Sequence, residues 1–222
     1  MNTNKIRYLR KKGLTLVELL VVIAIIATLA ALSYGPVLKQ VDAARRINAI
    51  SDARSLTSSL LFFYTAHNRQ FPNNETDRNS NTIVNAHQAF QQLFDNNTVD
   101  DEEYFWNVTN GRVLGNLNEP LNDLILNQNE NVWNYVMNVD ASFGNIPLIF
   151  DSIDTGTMFT AETWNGSAVV GYVDGSVVAE QIIFTGPPKS ATNVFATGPI
   201  LRDGNDILDP AFLPNGAVFI PR

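Results

Sequence analysis

No cysteine occurs among the 222 residues. That absence excludes disulfides, thiolate catalysis, cysteine-ligated zinc and a lipid-modified cysteine anchor together, and leaves the redox compartment unread. Histidine is nearly as scarce: only His67 and His87 are present. An imidazole metal site needs clustered partners, so both are expected to be surface or helix-face residues. Acidic charge is missing from the start of the chain, where residues 1–13 hold Lys5, Arg7, Arg10, Lys11 and Lys12 and no acid, while the rest sets 10 basic against 22 acidic residues. Such an acidic body repels nucleic-acid phosphates and anionic lipid head groups, whereas the basic leader is drawn to a cytoplasmic leaflet. No nucleophile elbow, phosphate-cradling glycine loop, zinc-helix motif or spaced acid pair occurs, so no enzyme is expected. What is present, 45% apolar and 17% charged residues, reads as an ordered chain: one globular domain plus a membrane segment.

From Leu14 to Leu32 the sequence LTLVELLVVIAIIATLAAL is almost wholly apolar. About 20 such residues at 1.5 Å rise span the roughly 30 Å hydrocarbon layer. With the positive charges ahead of it, residues 1–13 are expected in the cytoplasm and everything after Pro36 outside. A cleaved secretory signal has a shorter apolar run and a small-residue cut site. It would also not carry Glu18, whose charge facing lipid costs on the order of 3 kcal/mol or more. Cleavage after Gly13 would free a positive amine on Leu14, which attracts a carboxylate strongly in a low dielectric. The start of one helix is not expected to fold back onto its own Glu18, so the partner expected for that acid is the amine of a neighbouring copy displaced by about one helical turn.

KKG followed by LTLVELLVVIAIIATLAAL resembles the processing and methylation segment of type IV prepilins and type II secretion pseudopilins. The resemblance implies that a membrane prepilin peptidase cuts between Gly13 and Leu14, that the new amine is N-methylated, and that Glu18 is the assembly glutamate. It implies a type IV pilin-like fold of the α+β class, a long N-terminal helix packed on a small antiparallel sheet. Leu14 stands where the family usually has Phe, and Pro36 falls one residue later than the usual helix-loosening proline. The Gly35-Pro36 pair removes a backbone donor and adds freedom, so a hinge is expected at Ser33–Pro36. The expected organisation is a cleaved leader over 1–13, a transmembrane half-helix over 14–35, an amphipathic half-helix over 36–66 and an extracytoplasmic head over 67–222.

In the amphipathic half Leu38, Val41, Ile47, Ile50, Ala53, Leu56, Leu60 and Phe63 recur at steps of three or four, with Asp42, Arg45, Arg46, Asp52 and Arg54 on other faces. NRQFPNN after Tyr64–His67 reads as a loop, since Pro72 forces Phe71 out of the helical region. Its tyrosine and aromatic-proline pair resemble the junction after the long helix of major pseudopilins. TIVNAHQAFQQLFD over 82–95 predicts a second helix burying Ile83, Ala86, Phe90, Leu93 and Phe94, its start marked by Ser80 and Asn81. Asp100–Glu103 are expected to serve the first turn of a short helix ahead of YFW. WNYVMNV and IPLIF read as strands. Residues 168–183 read as a hairpin around a two-residue Asp174-Gly175 turn.

The stretch from Glu130 to Val178 resembles pseudopilin-like proteins of planctomycete and verrucomicrobium type. A related set carries a histidine ten residues before its Asp-Gly pair, where this chain has Trp164. In the Gly- and Pro-rich C-terminal segment Asp203, Asn205, Asp206 and Asp209 are candidate calcium ligands beside the plainer reading as an Asx-rich turn; no other cofactor is expected. Expected partners are prepilin peptidase, other copies or related pseudopilins in a helical filament, and an inner-membrane assembly platform. The expected location is the bacterial inner membrane with the head periplasmic, then a pseudopilus or surface filament. The competing reading is a prepilin-anchored binding or adhesion module, with aromatic residues of 104–106 and 133–135 as contacts where exposed.

Overall fold

The structure is a computed structural model that describes residues 15–77, 82–105, 108–109, 112–113, 124–127, 130–151, 153–155, 158–160, 164, 166–183, 197–202, 205–209, 211–214 and 216–221; for 32–39 and parts of the short strands only the backbone is described. The chain divides into two compact units, Met1–Asp42 and Ala43–Arg222. One helix, α1 (Leu16–Ala66), contributes to both. In the first unit its apolar residues are exposed, from Leu16 at 79% to Leu29 at 59%. Among the described residues no helix is long and apolar enough to cross a membrane, so the span expected over Leu14–Leu32 is not borne out. Leu14 and the side chain of Leu32 lie outside the described residues.

In the second unit α1 buries one stripe, Ala49, Ala53, Leu56, Leu60 and Phe63, as the three-to-four spacing of the sequence requires. This stripe packs into one core with a five-stranded antiparallel sheet. The strands in chain order are β1 (Val108–Thr109), β2 (Arg112–Val113), β3 (Asn134–Met137), β4 (Pro147–Phe150), β5 (Ile153–Thr155), β6 (Met158–Thr160), β7 (Ser167–Tyr172), β8 (Val177–Gln181), β9 (Thr197–Gly198), β10 (Leu201–Arg202), β11 (Asn205–Asp206) and β12 (Val218–Ile220). The large sheet has the order β12-β3-β4-β7-β8; β5-β6-β9 form a three-stranded sheet, and β1-β2 and β10-β11 are separate pairs.

Register explains how both faces of the large sheet are covered. Ile149 lies opposite Gly171 and Tyr135, and α1 comes close at Gly171: a Cβ there would meet Thr57 Oγ1 at 2.6 Å and Ile149 Cγ1 at 2.8 Å. The next residue along, Phe150, points to the opposite face, where its ring meets Phe159 of the smaller sheet and Phe219 of β12. With apolar neighbours on both sides, β7 is buried along all six residues, which is why Ala168, Val169 and Val170 run on without polar alternation. A second helix, α2 (Ala86–Asp95), lies on the α1 side, its Phe90 against Tyr135.

The helix starts at Ala86 rather than near Ser80 and Asn81, with Asn85 as its cap. Gln88 Oε1 accepts the Asn85 N–H at 3.2 Å, a reciprocal capping arrangement that the apolar pattern of 82–95 concealed because Ile83 is buried ahead of the helix. The β7–β8 hairpin also differs in its turn. The Tyr172 N–H donates to Ser176 O at 2.8 Å and the Gly175 N–H to Tyr172 O at 3.0 Å, so Val173, Asp174 and Gly175 form a three-residue loop, with positive φ at Gly175 alone. Together the head helix on its antiparallel sheet is the α+β, type IV pilin-like arrangement that the sequence predicts.

Candidate functional site

Gly13 and Leu14, the residues flanking the expected cut, lie outside the described residues. The first described residue, Thr15, sits immediately before α1 and organises its start. Thr15 Oγ1 accepts the Glu18 N–H at 3.2 Å. In return Glu18 Oε2 accepts the Thr15 N–H at 2.7 Å and its hydroxyl at 2.8 Å. This is a capping box, with the cap hydroxyl and the carboxylate three residues on each satisfying a backbone donor that the helix leaves open.

The box bears on Thr15 alone; the Leu14 amine, whose reach to Glu18 the expectation concerned, lies outside the described residues. The Glu18 carboxylate reaches the residue next to Leu14 within the same chain. A signal for this was present in the sequence, because Thr-Leu-Val-Glu ahead of an apolar run is the T-x-x-E pattern of a capped N-terminus. At Gly35 and Pro36 the helical backbone is continuous, so it is not interrupted there; the side chains around these two residues lie outside the described set.

The candidate calcium ligands lie in the C-terminal segment. Asp203 lies outside the described residues. Asp206 Oδ1 accepts the Leu208 N–H at 3.1 Å, and Asp209 Oδ1 accepts the Ala211 N–H at 2.8 Å. Each carboxylate thus closes its own turn, and Asn205 is exposed on β11. Burial pushes the Asp206 carboxyl up, with the Leu208 N–H opposing and the Asp209 charge adding to it. Among the described residues no group of three or more His, Cys, Asp or Glu side chains is placed to hold a metal ion.

Trp133 and Tyr135, named as contacts where exposed, are fully buried. Trp133 Nε1 donates to Tyr104 O at 2.9 Å and the Tyr135 hydroxyl to Pro72 O at 3.0 Å. Aromatic content alone does not separate a buried aromatic with one satisfied polar atom from an exposed one. Trp164 is also buried and donates Nε1 to the buried Asp151, which holds the Val169 N–H at 2.8 Å on its other oxygen. The indole therefore serves as a neutral donor to a buried carboxylate.

His67 is a helix-end residue rather than a free surface one. It stacks on Phe63 at 3.9 Å between ring centroids, and its ring nitrogens lie 3.0 Å from Phe63 O and 3.1 Å from Asn96 Oδ1. The acids at Asp100–Glu103 do serve a short helix, a 3-10 turn over Glu102–Phe105, where Asp101 Oδ1 accepts the Glu103 N–H at 2.9 Å. Glu103 also faces α1: burial first and the Glu103 charge second push the Asp52 carboxyl up to about 6.

Comparison with known proteins bears on the start of the chain. No curated protein and no solved structure matches. The family model described as the prokaryotic N-terminal methylation motif matches residues 8–34, a segment that contains the Gly13–Leu14 junction, Thr15, Glu18 and the apolar part of α1.

Proposed function

We propose that this chain is a structural subunit of a type IV pilin-like filament, either a type II secretion pseudopilin or a pilin, that it is cut by a prepilin peptidase between Gly13 and Leu14, and that it is methylated on the new amine. The observation that carries this reading is the methylation-motif match over residues 8–34, because it falls on a junction with basic residues before it and apolar helix after it. The exposed apolar residues from Leu16 to Leu29 support it: a helix with such residues on every side needs an apolar environment, which lipid supplies before assembly and neighbouring helices supply after it.

In this reading the leader stays cytoplasmic, the segment 14–35 anchors the subunit in the inner membrane, and Gly35-Pro36 lets the helix bend as copies pack. Glu18 has two roles. Its Oε2 caps its own helix, while the rest of the carboxylate meets the Leu14 amine of a neighbouring copy and sets the register between subunits. Contacts between copies are heterologous and open, as a helical assembly requires. No turnover of a substrate is involved.

Glu18→Ala and Glu18→Gln test the assembly role together. The glutamine keeps a capping acceptor and removes the charge, so both variants are expected to insert in the membrane and to disappear from sheared filaments. Normal incorporation of the processed Glu18→Gln protein would contradict the charge-pairing role.

A further inference from the structure

The end of α1 in the head leads into a cavity of about 700 Å³ between the loop after the helix, the β3–β4 connection and the C-terminal segment. That volume is in the range of small-molecule sites. Its lining combines one exposed aromatic with polar side chains of both hydrogen-bonding senses. Phe143 is 48% exposed. Asp140 accepts the Ser142 N–H at 2.8 Å on Oδ1 and the Tyr64 hydroxyl at 3.1 Å on Oδ2. Gln70 Nε2 donates to Glu75 Oε2 at 3.1 Å, and Asn138 Nδ2 donates to Gly216 O at 3.2 Å.

Asp140 is held by three bonds, since the Ser142 side chain also bonds its carboxylate, and the other groups are anchored by one each, leaving acceptor capacity on Glu75 Oε1, Gln70 Oε1 and Asn138 Oδ1. The donors come chiefly from Arg69. Its guanidinium makes no hydrogen bond or ion pair among the described residues, and its charge reaches Asp140. Anchored polar groups lose little freedom on binding, so their remaining capacity is available to a ligand at low entropic cost.

We propose that this cavity binds a saccharide. Adjacent hydroxyls of a sugar are donor and acceptor at once, which suits planar amide, carboxylate and guanidinium groups set side by side, and the C–H face of a pyranose ring suits the negative face of an exposed phenyl. One cation beside two carboxylates is poorly matched to an anionic ligand. A bare cation would leave Phe143 and Arg69 without a role. The cavity belongs to the head alone, so the proposal stands or falls independently of the assembly reading.

The test is saturation-transfer NMR on the purified full chain in a detergent that contains no sugar, with maltotriose and tri-N-acetylchitotriose as probes and triglycine as a control of similar size. The expected result is transfer to the ring protons of at least one trisaccharide, reduced about tenfold or more in both Phe143→Ala and Arg69→Gln. Both residues are exposed, and the thermal midpoint of each variant serves as the folding control. The proposal is overturned by no transfer to either sugar, by equal transfer in the folded variants, or by triglycine binding at the same residues.

Discussion

At the residue scale the head is tuned by close approach. Thr57 is fully buried against β7, and its hydroxyl has no hydrogen-bond partner. An unsatisfied buried hydroxyl is destabilising, so Thr57→Val, which keeps the branched shape, is expected to raise unfolding free energy by about 1 kcal/mol in chemical denaturation. Across from it Gly171 leaves no room for a methyl group. Gly171→Ala is therefore expected to cost about 1–3 kcal/mol through overpacking, read by the same denaturation curves. If Thr57→Val proved as damaging as Gly171→Ala, the packing account of this crossing would be wrong. Glu18 shows the same economy at the other end of α1, where one carboxylate oxygen closes two hydrogen bonds to Thr15.

At the element scale, the contact between α1 and the 3-10 turn carries a pH dependence. Asp52 titrates at about 6 in the folded protein, above its ordinary value of 3.8. A carboxyl raised by folding favours the folded state while protonated. Its contribution is therefore present at pH values below about 4 and is lost as pH rises toward and through about 6. Asp52→Asn should remove this component and raise stability near pH 7–8 by up to about 1 kcal/mol, discounted for its partial exposure to solvent. Denaturation midpoints measured from pH 4 to pH 8 check the sign: a wild type that gains stability relative to Asp52→Asn on going up would contradict it.

The elements that were legible in the sequence are those written by periodicity. The apolar steps of α1, the face of α2 and the strands over 134–137 and 147–150 follow from residue type alone. What escaped depends on a partner far along the chain or on a local hydrogen bond. Ile83 looks helical because it is apolar and in phase, yet the Asn85–Gln88 cap starts α2 after it. Asp174-Gly175 suggests a two-residue turn, but the closing bonds between Tyr172 and Ser176 enlarge it. Trp133, just ahead of β3, and Tyr135 within it are buried because β3 lies inside the sheet between β12 and β4, which residue type alone does not reveal.

At the scale of the whole molecule, a head with its own core follows a helical start whose apolar residues from Leu16 to Leu29 are exposed among the described residues. The methylation segment was readable in the sequence, because leader charges, a glycine, an acid and an apolar run occur together in order, and the matched motif over residues 8–34 falls on them. The capping role of Glu18 was written in the same four residues but is overshadowed by the need to explain a charge in an apolar run.

The most direct test of the central claim is intact-mass analysis of the protein recovered from its native membrane. The account predicts a chain that begins at Leu14, lacking residues 1–13 and carrying one added methyl group on the new amine. A chain that still begins at Met1, or one cut after the apolar run, would contradict it.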